Sequence, residues 1–340
     1  MKVITFIEDP RRRRSSGMKS KSIYTAAFFM ILIAMTCSGN NPDEKVSGLI
    51  TSFLQQEFDL AGERSPETQY YFMETKIVNF ALDGKRTGID TYKLWLECIP
   101  ASLSGKEGDE YICRRFTVQK GTESPSSIRA LDGWSYIFKG DLDEKGQVFG
   151  IDHSRFENLE TEDGNPLQPG TAYFVYNTFI DYHAFCNEFA ERTDEGNGIQ
   201  NLKTIGEKIV HASAFSEPPI NLGSNVAEGS TFKNGEITLE FKGISLVDGR
   251  PCSVVAFDSG ESSFNMIMQP TPEMEIKSVG SSHYEGDLFI DLKSNWVRKV
   301  IMGETVVAEV TLPMPPHKLN SLIERSTIIQ SVSQAEFLQN

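Results

Sequence analysis

The chain has 340 residues, with 33 basic and 47 acidic side chains and a formal net charge of −14. Such a balance repels nucleic acid and anionic membrane surfaces, so neither is expected as a partner. The length suffices to bury a sizeable core, in one large domain or two smaller ones, and the composition is globular rather than disordered.

Residues 1–36 read as an export signal. Lys19 and Lys21 precede an uncharged apolar core from Ala26 to Met35, and Cys37 follows at once. That core is shorter than the roughly 20 residues of a membrane span. The signal either occupies all of 1–36 or is 18–36 with the true start at Met18. Arg11–Arg14 extends its positive region, or offers the paired arginines of a twin-arginine signal. Without residues 1–36 the chain keeps 26 basic and 45 acidic residues, a balance of −19.

Ile33-Ala34-Met35-Thr36-Cys37 resembles a bacterial lipobox. The resemblance implies cleavage before Cys37 and attachment of diacylglycerol to its sulfur. It implies a periplasmic or outer-membrane lipoprotein whose one membrane contact is that anchor. The pattern departs at Ala34 and Thr36, where leucine and a glycine or alanine are usual. Ordinary signal-peptidase cleavage after Thr36 or Gly39 is the alternative.

Asn41-Pro42-Asp43-Glu44 is a helix start: a capping side chain, a proline suited to the first turn and two acids at the positive end. Val46, Leu49, Ile50, Phe53, Leu54 and Phe58 follow helical spacing and predict an amphipathic helix to about Leu60. Its polar face lacks the basic residues of a membrane-surface helix, so packing on a sheet is expected.

From Thr68 the period moves toward two. Strands are expected over 69–82, 88–98, 110–119 and 127–139, with turns at Asp83-Gly84 and Gly105-Lys106. Residues 153–159 suit a short helix. After Cys37 four cysteines remain: Cys98, Cys113, Cys186 and Cys252. Four allow three pairings. A turn centred on Gly105-Lys106 would set Cys98 directly opposite Cys113, close enough for a disulfide in an oxidising compartment. Two free buried thiols are the other reading.

Residues 171–192 are the most aromatic part of the chain. Tyr173, Tyr176, Phe179, Ile180, His183 and Ala184 fit a helix, although 173–180 alone also suits a strand. Residues 193–200, with Gly196 and Gly198, are the candidate boundary between a region 41–192, helix plus antiparallel strands, and a region 201–340, an antiparallel meander. One continuous domain is the alternative. The meander is expected as strands 236–246 and 251–258 around Asp248-Gly249, then 262–268, 273–279, 283–292, 296–302, 304–312 and 321–332.

The expected fold is therefore mainly β, of α+β type. A large curved antiparallel sheet packs against the N-terminal amphipathic helix and a mid-chain helix. Within it, Gly286-Asp287-Leu288-Phe289-Ile290-Asp291-Leu292 resembles a strand of the bacterial lipoprotein carriers and lipoproteins with a LolA-like half-barrel. That resemblance implies a concave sheet face that holds acyl chains or other apolar ligands.

No phosphate loop, dinucleotide fingerprint, HExxH or GxSxG is present. Tyr173, Tyr176 and Phe179 could line a ligand pocket, or be simple core. Asp181 and His183 would converge on a metal only if they stood on a strand; on a helix His183 and Cys186 share a face, and a satisfied structural histidine is the plainer reading. His283, Glu285 and Asp287 would line one strand face as a divalent-metal stripe, with a bulge expected at Gly286-Asp287. No cofactor is expected. The function expected is non-catalytic: an exported lipoprotein that binds an apolar ligand or lipid, or serves envelope maintenance. The alternative is a metal-assisted hydrolase using His183 or His283 with nearby carboxylates.

Overall fold

The computed structural model describes residues 56–339 apart from 82, 141–146, 195, 219–225, 272–273 and 316. The export signal, Cys37 and most of the expected N-terminal helix lie outside the described residues. The last positions of that helix do not: residues 56–59 carry no helix. Phe58 instead donates its backbone N–H to Lys203 O at 2.8 Å and packs edge-on against Phe241, and Leu60 is buried.

Among the described residues thirteen strands form one antiparallel sheet. They are β1 Gln69–Phe80, β2 Arg86–Ile99, β3 Glu110–Lys120, β4 Ser126–Ser127, β5 Ser135–Ile137, β6 Lys208–Val210 and β7 Thr231–Lys233. Then come β8 Thr238–Val247, β9 Arg250–Asp258, β10 Ser262–Thr271, β11 Met274–Asp291, β12 Val297–Thr311 and β13 Lys318–Ser331. The main order is β4-β3-β2-β1-β13-β12-β11-β9-β8-β6. β11 is shared: its first half pairs with β10, and Glu285–Asp291 pair with β9. Among the described residues α-helices are few: α1 Ala101–Ser104, α2 Pro169–His183 and α3 Gln334–Phe337. The chain is thus mainly β, with a mid-chain helix on the sheet.

Three strand expectations are corrected. Residues 127–139 are not one strand: β4 and β5 flank a single 3-10 turn, Arg129–Leu131, that buries Leu131. The two strands expected within 273–292 are one 18-residue strand, β11, Met274–Asp291, and the two expected within 296–312 are one 15-residue strand, β12, Val297–Thr311. Gly280 and Gly303, which fall in the gaps between the expected strands, are strand glycines. A Cβ at Gly280 would meet the Val307 carbonyl, and Phe264 Cζ at 2.8 Å. The expected bulge at Gly286-Asp287 is also absent, since the register there is continuous with both neighbours. Gly286 is needed because Phe257 Cζ would lie 2.7 Å from a Cβ. Bulges occur at Asn79/Phe80, Trp95/Leu96, Phe241/Gly243 and Phe289/Ile290, where they bend the strands.

The Cys98–Cys113 pairing is corrected by the same register. α1 fills the connection, and Cys98 faces Tyr111 while Cys113 faces Leu96. The two cysteines are diagonal rather than opposite, too far apart for the short Cβ separation of a disulfide. Both are free and buried, and burial pushes both thiol pKa values far up.

Gln56–Asn340 form one compact unit. Its core runs from Tyr71, Tyr92 and Phe116, through Phe179 and Tyr182 on α2, to Phe257, Leu288 and Ile329 in the later strands. On β11, β12 and β13 alternate residues face this core, so Tyr284, Glu304 and Arg325 share its side.

Candidate functional site: a cleft under the mid-chain helix

α2 starts at Pro169, whose fixed φ suits a first helical turn. Positions 173, 177, 180, 181, 184 and 188 recur at helical spacing and face a cleft of about 390 Å³. The helix passes into a π turn, Ala184–Glu188, which re-aims the following side chains so that Phe185, Glu188 and Phe189 also line the cleft. The opposite helical face serves the core, where Phe179 stacks on Phe116 at 5.8 Å. Tyr173 and Tyr176 therefore reach the cleft, whereas Phe179 does not.

The far wall is the sheet: Tyr284 on β11, Glu304 on β12, Arg325 on β13, Met266 on β10 and Phe232 on β7. Register explains the first three, because Tyr284 pairs with Glu304 and Glu304 with Arg325. Arg325 Nη1 donates to Asp181 Oδ2, and its Nε donates to Glu304 Oε2 at 2.5 Å. Burial raises the Asp181 carboxyl to about 6, against the opposing pull of Arg325. Burial also raises the Tyr173 phenol to about 12. Ser213 Oγ donates to Glu188 Oε1 at 2.5 Å on the loop side.

Asp181 and His183 diverge, so the expected metal pair is not formed. His183 is fully buried; its Nε2 lies 2.7 Å from the Tyr136 hydroxyl and its Nδ1 3.2 Å from Asn187 Oδ1. Asn187 Nδ2 in turn donates to Glu191 Oε1 at 2.8 Å. Burial holds the imidazole near a pKa of about 3, so it is neutral. Both ring nitrogens are occupied, as in a structural histidine. Cys186 is buried and its thiol is pushed far up by burial, which removes the His183–Cys186 dyad as a nucleophile.

His283, Glu285 and Asp287 do share a face of β11, and it is the one away from the cleft. His283 Nε2 lies 2.8 Å from Asp258 Oδ1. Ligand atoms of Asp258, His283 and Glu285 lie within 4.8 Å of one another. Asp258, directly opposite Glu285, thus takes the place expected of Asp287, whose half-buried carboxyl is raised by burial.

The cleft's central charges, Glu304 and Arg325, escaped the sequence reading. Their signal is a charge at a core-facing position in each of two neighbouring strands. Among the described residues no helix is long and apolar enough to cross a membrane. No family model matches the sequence, and no curated protein does. Among solved structures, the chain is similar to Pseudomonas putida OprB in its high-pH structure, at 7% identity over 84% of this chain and 97% of that one. The TM-score is 0.20, too low to bear on fold or function.

Proposed function

We propose that this chain is an exported, non-catalytic binding protein, a lipoprotein anchored through Cys37, that holds an apolar or lipid ligand between α2 and the sheet. The observation that supports it is the cleft itself. About 390 Å³ stays open after folding, within the range of small-molecule sites, and Phe149, Ile180, Phe185, Phe232 and Met266 supply apolar walls. The resemblance of Gly286–Leu292 to the LolA-like half-barrel points the same way, as does the lipobox-like signal for a periplasmic or outer-membrane location.

Purified protein should bind an environment-sensitive apolar probe, or carry lipid visible by native mass spectrometry. Ala184→Phe, which fills the cleft from the helix side, should abolish both. Probe binding unchanged by that variant would remove the cleft from the reading. Intact mass should show a lipidated Cys37 at the mature N-terminus; an unmodified Asn40 terminus would make the protein freely secreted.

A metal-assisted hydrolase has one observation in its favour, the Asp258, His283 and Glu285 group. It lies on the sheet face away from the cleft, and His283 and Asp258 already satisfy each other there. Stoichiometric metal that His283→Ala removes, together with hydrolysis of a panel substrate, would replace the binding reading.

A further inference from the structure

We infer that the cleft selects an apolar ligand bearing a cationic head, an alkylammonium in chemical class, with the head seated against Asp181. This rests on the reading of the cleft as a ligand site. Among the described residues four charged side chains line it: Asp181, Glu188, Glu304 and Arg325, an excess of two negative charges. The one cation among them is already divided between Asp181 and Glu304.

Asp181 is buried, yet among the described residues its one hydrogen bond comes from Arg325, to Oδ2. An ionised buried carboxylate is costly unless its charge is matched. A ligand cation supplies the match that half of Arg325 does not. Tyr173 and Tyr284 border the same triad, and neither hydroxyl is hydrogen-bonded to a described residue. Their oxygens can accept ammonium hydrogens, and their ring faces attract a cation. Phe185, Phe189 and Ile180 line the same cleft and offer a wall for an alkyl chain. An anionic head would meet Asp181, Glu188 and Glu304 with like charge, and a neutral head would leave Asp181 unmatched. The acidic chain as a whole, at −14, raises the local concentration of cations.

The test is calorimetric titration of the full chain with dodecylammonium and dodecanoate below their critical micelle concentrations, and with dodecanol below its solubility limit. Dodecylammonium should bind at least about tenfold more tightly than the other two. Asp181→Asn should erase that preference by weakening dodecylammonium while dodecanol still binds, and Glu188→Gln, a milder change, should reduce it where Asp181→Asn folds poorly. Preference should also fade as pH falls through about 6, where the Asp181 carboxyl protonates. Among the described residues the titratable and charged groups around that carboxyl are Arg325, Glu304, Tyr173 and Tyr284, with Glu188 lining the same cleft. Equal affinity for all three probes overturns the charge inference and leaves apolar binding standing. Tighter binding of dodecanoate overturns it outright. No binding of any probe overturns the binding function as well.

Discussion

Glu304 on β12 lies directly opposite Arg325 on β13, with Oε2 2.5 Å from Nε, and the pair sits on the core-facing side of the sheet beneath α2. The same guanidinium reaches Asp181 on the helix. One arginine therefore ties the helix to the sheet at the floor of the cleft. Its planar fork serves two acceptors at once, which a lysine ammonium on a single stem does not reproduce.

Removing that guanidinium would leave the buried Asp181 and the largely covered Glu304 carboxylates without their counter-charge. Arg325→Leu is expected to lower unfolding free energy by about 3–5 kcal/mol, measured by urea titration. Arg325→Lys should recover part of the loss. A Leu variant as stable as the parent would show that the triad contributes nothing net.

Both cysteines near the α1 connection should be free thiols. Non-reducing peptide mapping of protein taken from its native compartment is expected to show Cys98 and Cys113 unlinked. Thiol reagent should label them only after unfolding, because both are buried and their pKa values are pushed far up. A linked 98–113 peptide would mean that the β2–β3 register shifts by two residues.

Strand glycines divide into two kinds, and stability should report which is which. Gly286→Ala places a Cβ against the Ile301 carbonyl and 2.7 Å from Phe257 Cζ, whereas nothing lies within 4 Å of one at Gly303. The first variant should cost about 1–3 kcal/mol. The second should be neutral or slightly stabilising, through the reduced freedom of the unfolded chain. Equal effects would refute the close approach at Gly286.

The sequence displayed its turns better than its long strands. Asp248-Gly249 was legible as a hairpin because both residues take the positive φ that a tight turn demands, 50° and 76°. Gly280 and Gly303 fell in gaps between expected strands, since a strand glycine that makes room for a ring, as Gly280 does for Phe264, or faces open space, as Gly303 does, looks the same in sequence as one that turns the chain. The aromatic helix was legible from its spacing, and with it Tyr173 and Tyr176. Phe179 was not separable from them, because α2 is buried on two sides and both faces are aromatic. Cys98 and Cys113 were misplaced because a one-turn helix in the connection moved the register. Glu304 and Arg325 meet only through strand pairing, which local pattern does not reveal.

Acid should act on two buried groups with opposite sign. His183 titrates near 3 in the fold against 6.5 ordinarily, so the unfolded chain takes that proton first. Its contribution to stability is whole above 6.5 and is lost as pH falls toward 3. Asp181 is the reverse: its carboxyl titrates near 6 in the fold against 3.8 ordinarily, so the folded chain takes the proton first and gains stability as pH falls from 6 to 3.8. Between these limits each state binds one proton, and the two effects oppose each other. Below 3.8 the His183 loss stands alone. Replacing the imidazole by an amide, His183→Gln, should expose the Asp181 gain. The advantage of the parent over this variant should shrink by roughly 1.4 kcal/mol per pH unit as pH falls from 6.5 toward 3. Urea unfolding of both proteins across that range measures it. A difference independent of pH would mean that His183 is protonated in the fold, and the chain from Tyr136 through Asn187 to Glu191 would have to be redrawn around an imidazolium.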